Sequence, residues 1–398
     1  MPTLRPLLLL LATLPALAQT PAPPRVFLLD GNMLAAIKAA PATDPHKQEV
    51  LKAATAAADK ALTEGPFSVT QKGVTPPSGD KHDYMSQAPY FWPDPAKPNG
   101  LPYIRRDGER NPELKKISDH DQFGRLGEAS RSLALAWYLT GNPEYANRAA
   151  LLLRTWFLSP ATRMNPNLEF GQGIPGINTG RGIGIIESRS LIPIVDAAGL
   201  LAGSPAWTPA DQKGLTDWYA AFLDWMLTSK KGRDEDAAKN NHGTWYDLQV
   251  TDYALFLGRR SLAVDTLNRA KTRRIAVQIE PDGRQLLELA RTKAWGYSIG
   301  NLDGLMELAQ LGQQVGVDLW GASTPHGRSI RAALDFLLPY ALNQKPWDYQ
   351  QLEGFHGEAL LSCLQLAASH YNDPKYTAAS QKLGANRNDL ATILRSGS

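Results

Sequence analysis

LGEASRSLALAWYLTGNPEYANRA, residues Leu126 to Ala149, is the stretch that decides the fold. Leu126, Ala129, Leu133, Ala136 and Trp137 recur at three- and four-residue steps, the signature of one buried helical face. Gly141 ends that helix. Asn142 then caps a second one whose first residue is Pro143, where a missing N–H costs nothing. Two helices joined by so short a link must run antiparallel. The device returns at Asp373-Pro374, where DPKYTAAS aligns with NPEYANRA, and Thr208-Pro209 opens a third case through Trp218, Phe222 and Trp225. Further amphipathic stretches cover roughly 46–63, 186–202, 244–257, 302–315, 327–339 and 356–371. Strand-like alternation is sparse. A dozen or so short antiparallel helices predict an all-α chain, a single (α/α)n toroid or incomplete barrel of helical hairpins. No strict repeat period appears, which disfavours a regular solenoid.

Two long segments resist helix. Gly65 to Asp121 carries seven prolines from Pro76 to Pro102 together with Pro66 and Pro112, and Ser159 to Arg181 carries Pro160, Pro166, Pro175 and many glycines. Loops of this length inside a compact domain are usually functional. They are expected over the open end of the toroid, lining a cleft.

The N-terminus has the form of a secretory signal: Arg5, an apolar run from Leu7 to Leu14, and the small-x-small site Ala16-Leu17-Ala18. The run is too short to span a bilayer. The expected organisation is a signal peptide over 1–18, a flexible linker over 19–25, one toroid over 26–385 and a polar tail over 386–398. It implies a periplasmic or secreted protein, cleaved near Ala18 and without membrane insertion thereafter.

The formal charge of the 398-residue chain is only +3. That argues against a nucleic-acid partner bound by bulk electrostatics, so an anionic partner must meet a local basic cleft. The lone Cys363 excludes an internal disulfide framework and a Cys-rich zinc site. The seven histidines show no HExxH or paired helical spacing, and no metal or other cofactor is indicated. Nothing in the sequence sets the oligomeric state.

Two clusters carry chemistry. Asn240-Asn241-His242-Gly243-Thr244-Trp245 opens the helix expected at 244–257. Its plain reading is an N-cap with a solvent-facing histidine, but two adjacent amides before a histidine exceed what a cap needs. Trp245, three residues on, is expected to pack against His242. An imidazole flanked by amide donors is suited to acid–base work. The second cluster is ELARTKAWGYS, Glu288 to Ser298. A free tyrosine titrates near ~10, so Tyr297 needs a neighbouring cation to act as a base, and Arg291 and Lys293 are the near ones in sequence. The plain alternative is a solvated basic helix start with core aromatics.

Together these strings resemble the alginate lyase family, the helical-toroid polysaccharide lyases. The Asn-Asn-His-x-x-Trp string is similar to that family's catalytic helix, and ELARTKAWGYSIGNLDGL to its second signature. QGIPGINTGRGIGIIES, Gln172 to Ser188, is a third matching stretch. The likeness covers roughly 80–360 and is nearest to polysaccharide lyase family 38. It departs from the family 5 enzymes by one residue fewer between Arg and Tyr.

The resemblance implies β-elimination from a 1,4-linked polyuronate, leaving a 4,5-unsaturated end. The C5 proton is barely acidic while the adjacent carboxylate keeps its charge. Donors aimed at that carboxylate offset the difficulty, and one such contact is worth about 3–4 kcal/mol. Asn241 and Arg291 take that role by carry-over, and Tyr297 protonates the leaving O4. His242 is the base, or it keeps Tyr297 deprotonated so that the phenolate takes the proton. The expected substrate is alginate, with mannuronate-type linkages, or alternatively β-1,4-glucuronan.

Substrate contacts are expected from Arg181, Asn240, Trp245, Tyr90, Trp92, His120, Gln172 and Lys293. Arg181 could hold a neighbouring carboxylate in a bidentate pair, or be an ordinary surface arginine. Tyr84, Tyr90, Phe91 and Trp92 could stack on sugar rings or anchor their loop. Two more distant readings are an inverting glycoside hydrolase and a non-catalytic sugar-binding protein. The hydrolase needs two carboxyls roughly 6.5–9.5 Å apart. Glu187, Asp247, Asp252 and Glu288 are the acidic residues available for it.

Overall fold

Helices dominate the residues described by the computed structural model, 22–385 and 389–396. The expected signal peptide lies outside them. The first half of the chain forms α1 (Gly31–Ala39), α2 (Pro45–Leu62), α3 (Asp119–Thr140), α4 (Pro143–Leu153), α5 (Ile192–Leu201) and α6 (Pro209–Thr228). Next come α7 (Lys230–Asp236), α8 (Asn241–Phe256), α9 (Arg260–Ala270) and two short turns, α10 (Ala276–Gln278) and α11 (Leu286–Leu289). The rest is α12 (Ala294–Val315), α13 (Ile330–Ala341), α14 (Leu361–Tyr371), α15 (Pro374–Gly384) and α16 (Leu390–Ser396).

The punctuation seen in the sequence sets these boundaries. Gly141 closes α3 in the left-handed conformation at φ 74°, and the Asn142 side chain accepts from the Glu144 N–H to start α4. Thr208 and Asp211 form a reciprocal capping box at α6, and Asp373 caps α15. Each such cap is worth about 1 kcal/mol.

Helices α3, α5, α8, α12 and α14 touch in succession and make the inner layer. α2, α4, α6, α9, α13 and α15 lie against them outside, giving the expected toroid. The inner position of α8 explains why it is buried along nearly its whole length. Aromatic rings fill the space between layers: Trp218 stacks on Phe222 at 5.2 Å, and Tyr219 meets Tyr253 edge-on at 5.3 Å.

The C-terminal stretch differs from the polar tail expected. Leu390, Ile393 and Leu394 share one face of α16, and the last two are buried in the core. α16 touches both α14 and α2, so it joins the last inner helix to the first hairpin. Within the expected linker, the Arg25 guanidinium donates to the Leu255 and Phe256 carbonyls.

The two proline-rich segments contain β1 (Met85–Gln87), β2 (Phe91–Trp92), β3 (Ile104–Arg105) and β4 (Phe170–Gly173). β1 pairs in parallel with β4, tying one loop to the other, and β2 pairs antiparallel with β3. A wholly buried ion pair, Lys72 to Asp119 at 2.9 Å, anchors the first loop to α3. Burial pushes the Asp119 carboxyl up to about 6 and the Lys72 ammonium down, so their attraction offsets only part of the desolvation.

Candidate active site

The loops and the inner helices enclose a cavity of about 1170 Å³. Asn240, Asn241, His242, Trp245, Arg291, Lys293 and Tyr297 all line it, as do Tyr90, His120, Gln172 and Arg181. The wall also carries Arg105, Arg110, Lys115 and Arg189, against the acidic Asp121 and Glu187. A nearly neutral chain therefore concentrates positive charge in one place.

Buried polar side chains fix the turn before α8. The Arg274 guanidinium, 2% exposed, donates to both Asp247 oxygens at 2.8 and 3.1 Å and to the Ala238 and Asp236 carbonyls at 2.9 Å. Gly243 sits against this guanidinium, where a Cβ would strike it and the Ala238 carbonyl. A chain of amides then couples α8 to α12. Gln278 donates to the Asn240 carbonyl and accepts from Thr244 and Asn301, and Asn301 reaches Gln285, which donates to the Ser298 carbonyl. The two sequence clusters thus hang on one buried network, and such networks rigidify when their members are paired.

Asn241, His242 and Arg291 each have a carboxylate behind them. Asn241 donates through its backbone N–H and its side-chain amide to Glu288, both at 2.7 Å. Burial raises the Glu288 carboxyl above its ordinary range against the pull of those donors. The His242 Nδ1 lies 2.8 Å from Glu235 Oε1. Arg291 grips Asp107 through Nε and Nη2 at 3.1 and 2.8 Å. Burial opposes Asp107's charge, but Arg291 and Arg105 together hold its carboxyl well below the usual range.

Arg291 also donates to the Tyr297 hydroxyl at 2.8 Å, with its guanidinium carbon 3.9 Å from the ring centroid. The Tyr297 hydroxyl donates in turn to Tyr90 at 2.8 Å. Burial and the Tyr90 contact push the Tyr297 phenol well above its ordinary value, while Arg291 pulls it down. Tyr297 therefore keeps its proton at neutral pH.

On the opposite wall Arg181 donates to Gln172 Oε1 at 2.8 Å and lies over Phe91 at 5.2 Å, and burial lowers its pKa to about 10. Gln172 holds a left-handed backbone at φ 51°, a costly conformation for a residue with a Cβ. Its N–H donates to Ser86 Oγ, which donates to Glu187.

Several expectations need correction. Trp92 does not line the cavity: successive strand residues face opposite ways, so Phe91 faces in while the Trp92 indole donates to the Glu109 carbonyl under Arg106. Tyr84 is buried and donates to Glu187, which leaves it no sugar face. The Trp245 ring is covered by Arg189 at 5.4 Å, and the expected packing on His242 is not among its ring contacts. Lys293 and His120 need no such correction: both line the cavity, Lys293 paired with Glu353 and His120 exposed. Of the four carboxylates considered for hydrolysis only Glu187 reaches the cavity; Asp247 serves Arg274, Glu288 serves Asn241, and Asp252 is buried. The sequence reading missed Glu235, Asp107, Arg274 and Gln278.

The alginate lyase family model matches residues 68–347. No curated protein sequence matches the chain. Among solved structures, the chain is similar to an alginate lyase from Bacteroides ovatus, with a TM-score of 0.89 and 41% identity over 93% of this chain and 99% of that one. It shares its fold with a histidine-to-alanine variant of alginate lyase A1-III complexed with tetrasaccharide, at a TM-score of 0.59 and 16% identity over 95% and 98% of the two chains.

Proposed function

Because the chain belongs to the alginate lyase family and is thereby a polysaccharide lyase, we propose that it cleaves the 1,4 linkages of alginate, at mannuronate residues, by β-elimination. One observation carries this reading: Asn241, His242, Arg291 and Tyr297 line a single basic cleft, with Arg291 hydrogen-bonded to the Tyr297 hydroxyl.

The uronate carboxylate is met by Asn241 and Arg291. Glu288 and Asp107 hold the two side chains in place, so the second Nδ2 hydrogen of Asn241 and the Nη1 group of Arg291 can meet the sugar with little reorganisation as charge builds on it. In mannuronan the C5 hydrogen and O4 lie on the same face, so one phenol serves both. Tyr297 passes its proton to His242, and its phenolate, favoured by Arg291, takes the C5 proton. The C5–H electrons form the C4=C5 bond, the C4–O4 bond breaks, and O4 takes the proton from Tyr297. Where hydrogen and oxygen lie on opposite faces, His242 takes the first proton and Tyr297 supplies the second. Gln172, Arg181 and Asn240 contact the neighbouring sugars, and Phe91 and Tyr90 offer them ring faces. Export through the N-terminal signal would bring the enzyme to its polymer in the periplasm or outside the cell.

The test is an ultraviolet assay for double-bond formation on polymannuronate, polyguluronate and glucuronan. Fastest absorbance gain on polymannuronate is expected. A preference for glucuronan would move the substrate while keeping the reaction, and saturated products alone would end the lyase reading.

A further inference from the structure

We infer that Glu235 is a positioning residue: it fixes the proton of His242 on Nδ1 and so presents the Nε2 lone pair to the cleft. The inference rests on His242 being the proton acceptor proposed above, and it deepens that reading.

Glu235 is the next-to-last residue of α7 and is fully buried. Its Oε1 lies 2.8 Å from His242 Nδ1, and its Oε2 is buried with no hydrogen-bond partner among the described residues. A carboxylate only accepts, so Nδ1 must carry the hydrogen between them. A neutral imidazole has one N–H, which leaves Nε2 as a bare acceptor on the ring's open edge. The opposite tautomer would set a lone pair against a buried anion.

The carboxylate is itself held firmly. Ser229 caps α7 through the Gly232 N–H, and Gly232 packs where a Cβ would strike the Met226 backbone. The next residue, Asp236, is gripped by Arg273 and Arg274. When Nε2 takes a proton, from C5 or from Tyr297, the imidazolium faces an anion already in place. Glu235 need not accept the proton to do this work.

The decisive variant is Glu235→Gln, which keeps the shape and can turn an N–H toward Nδ1. On alginate oligosaccharides kcat should fall at least about 100-fold with KM within about threefold, the pattern of a general base set in the wrong tautomer. In a His242→Ala background the same change should have almost no further effect, because the two groups act as one unit. Full activity of Glu235→Gln, or losses that multiply in the double variant, would overturn the inference. Nitrogen-15 NMR gives an answer that needs no turnover: the wild-type His242 signal, identified by its loss in His242→Ala, should report the Nδ1–H form. An Nε2–H signal would overturn the inference even if Glu235→Gln failed to fold. An Nδ1–H signal in a wild-type protein that makes no unsaturated product would support the tautomer assignment and refute the function proposed above.

Discussion

Arg291 meets Tyr297 twice, with a hydrogen bond of 2.8 Å to the hydroxyl and its guanidinium carbon 3.9 Å from the ring centre. The contact has two effects. It lowers the cost of the phenolate, and it fixes the ring against the guanidinium on the cavity wall. The first effect competes with burial and with Tyr90, which both favour the protonated phenol.

Tyr297→Phe removes one oxygen and leaves the ring under Arg291. Turnover should fall at least about 1,000-fold, in the upper range for loss of a general acid–base group, while oligosaccharide affinity changes little. Initial rates by ultraviolet absorbance and binding by calorimetry check this. Comparable rates in the two proteins would remove Tyr297 from the mechanism.

Tyr90→Phe deletes the largest influence after burial that raises the Tyr297 phenol. The phenol should then ionise at lower pH, with Arg291 and Asp107 still beside it. A pH–rate profile should show the limb that reports Tyr297 displaced toward acid. A limb that stays in place, or moves toward alkali, contradicts the assignment.

Asp107→Asn takes away the anion that orients Arg291 from the loop after β3. Hydrogen bonds to charged groups are worth about 1.5–3 kcal/mol. A loss of roughly tenfold or more in kcat/KM is therefore expected, falling on both KM and kcat because Arg291 serves binding and the reaction alike. Steady-state kinetics on polymannuronate measure it.

Arg274→Met should show as instability before it shows in kinetics. It strands Asp247, 2% exposed, without its bidentate partner. Removing one member of such a buried pair costs about 3–5 kcal/mol. Chemical denaturation should report a loss of that size, and a change under about 1 kcal/mol would argue that water replaces the guanidinium.

Asp211 gives a stability effect with a defined pH window. Hydrogen bonds from Arg154 lower its carboxyl to about 2, below its unfolded value near ~3.8. A depressed carboxyl stabilises the fold fully above the unfolded value and loses that contribution as pH falls toward the folded one. Arg154 is 38% exposed, so solvent screening cuts the effect to about 1 kcal/mol. Asp211→Asn should therefore lower the melting temperature at pH 7 and converge with wild type near pH 2.

The fold was legible because its boundaries are written in caps. Asn142-Pro143, Thr208-Pro209 and Asp373-Pro374 each start a helix where the sequence placed one. α16 was overlooked although Asp389 precedes a Leu390, Ile393, Leu394 spacing, because one turn of apolar residues in a polar stretch carries little weight alone. At the site, the front groups stood out as short strings on two helix starts. Their partners did not. Glu235 belongs to KKGRDED, which looks like an ordinary solvated charge run, and Asp107 lies 184 residues from the arginine it holds. Trp92 was misplaced because a two-residue strand is too short for alternation to reveal which ring faces inward.

The contact of α16 with both α14 and α2 makes the protein a hoop with a clasp. Through α14 that clasp is in contact with α12, the helix that carries Tyr297. A truncation that removes Leu390, Ile393 and Leu394 would accordingly strip the seam of its packed apolar side chains and show first as a lower melting temperature.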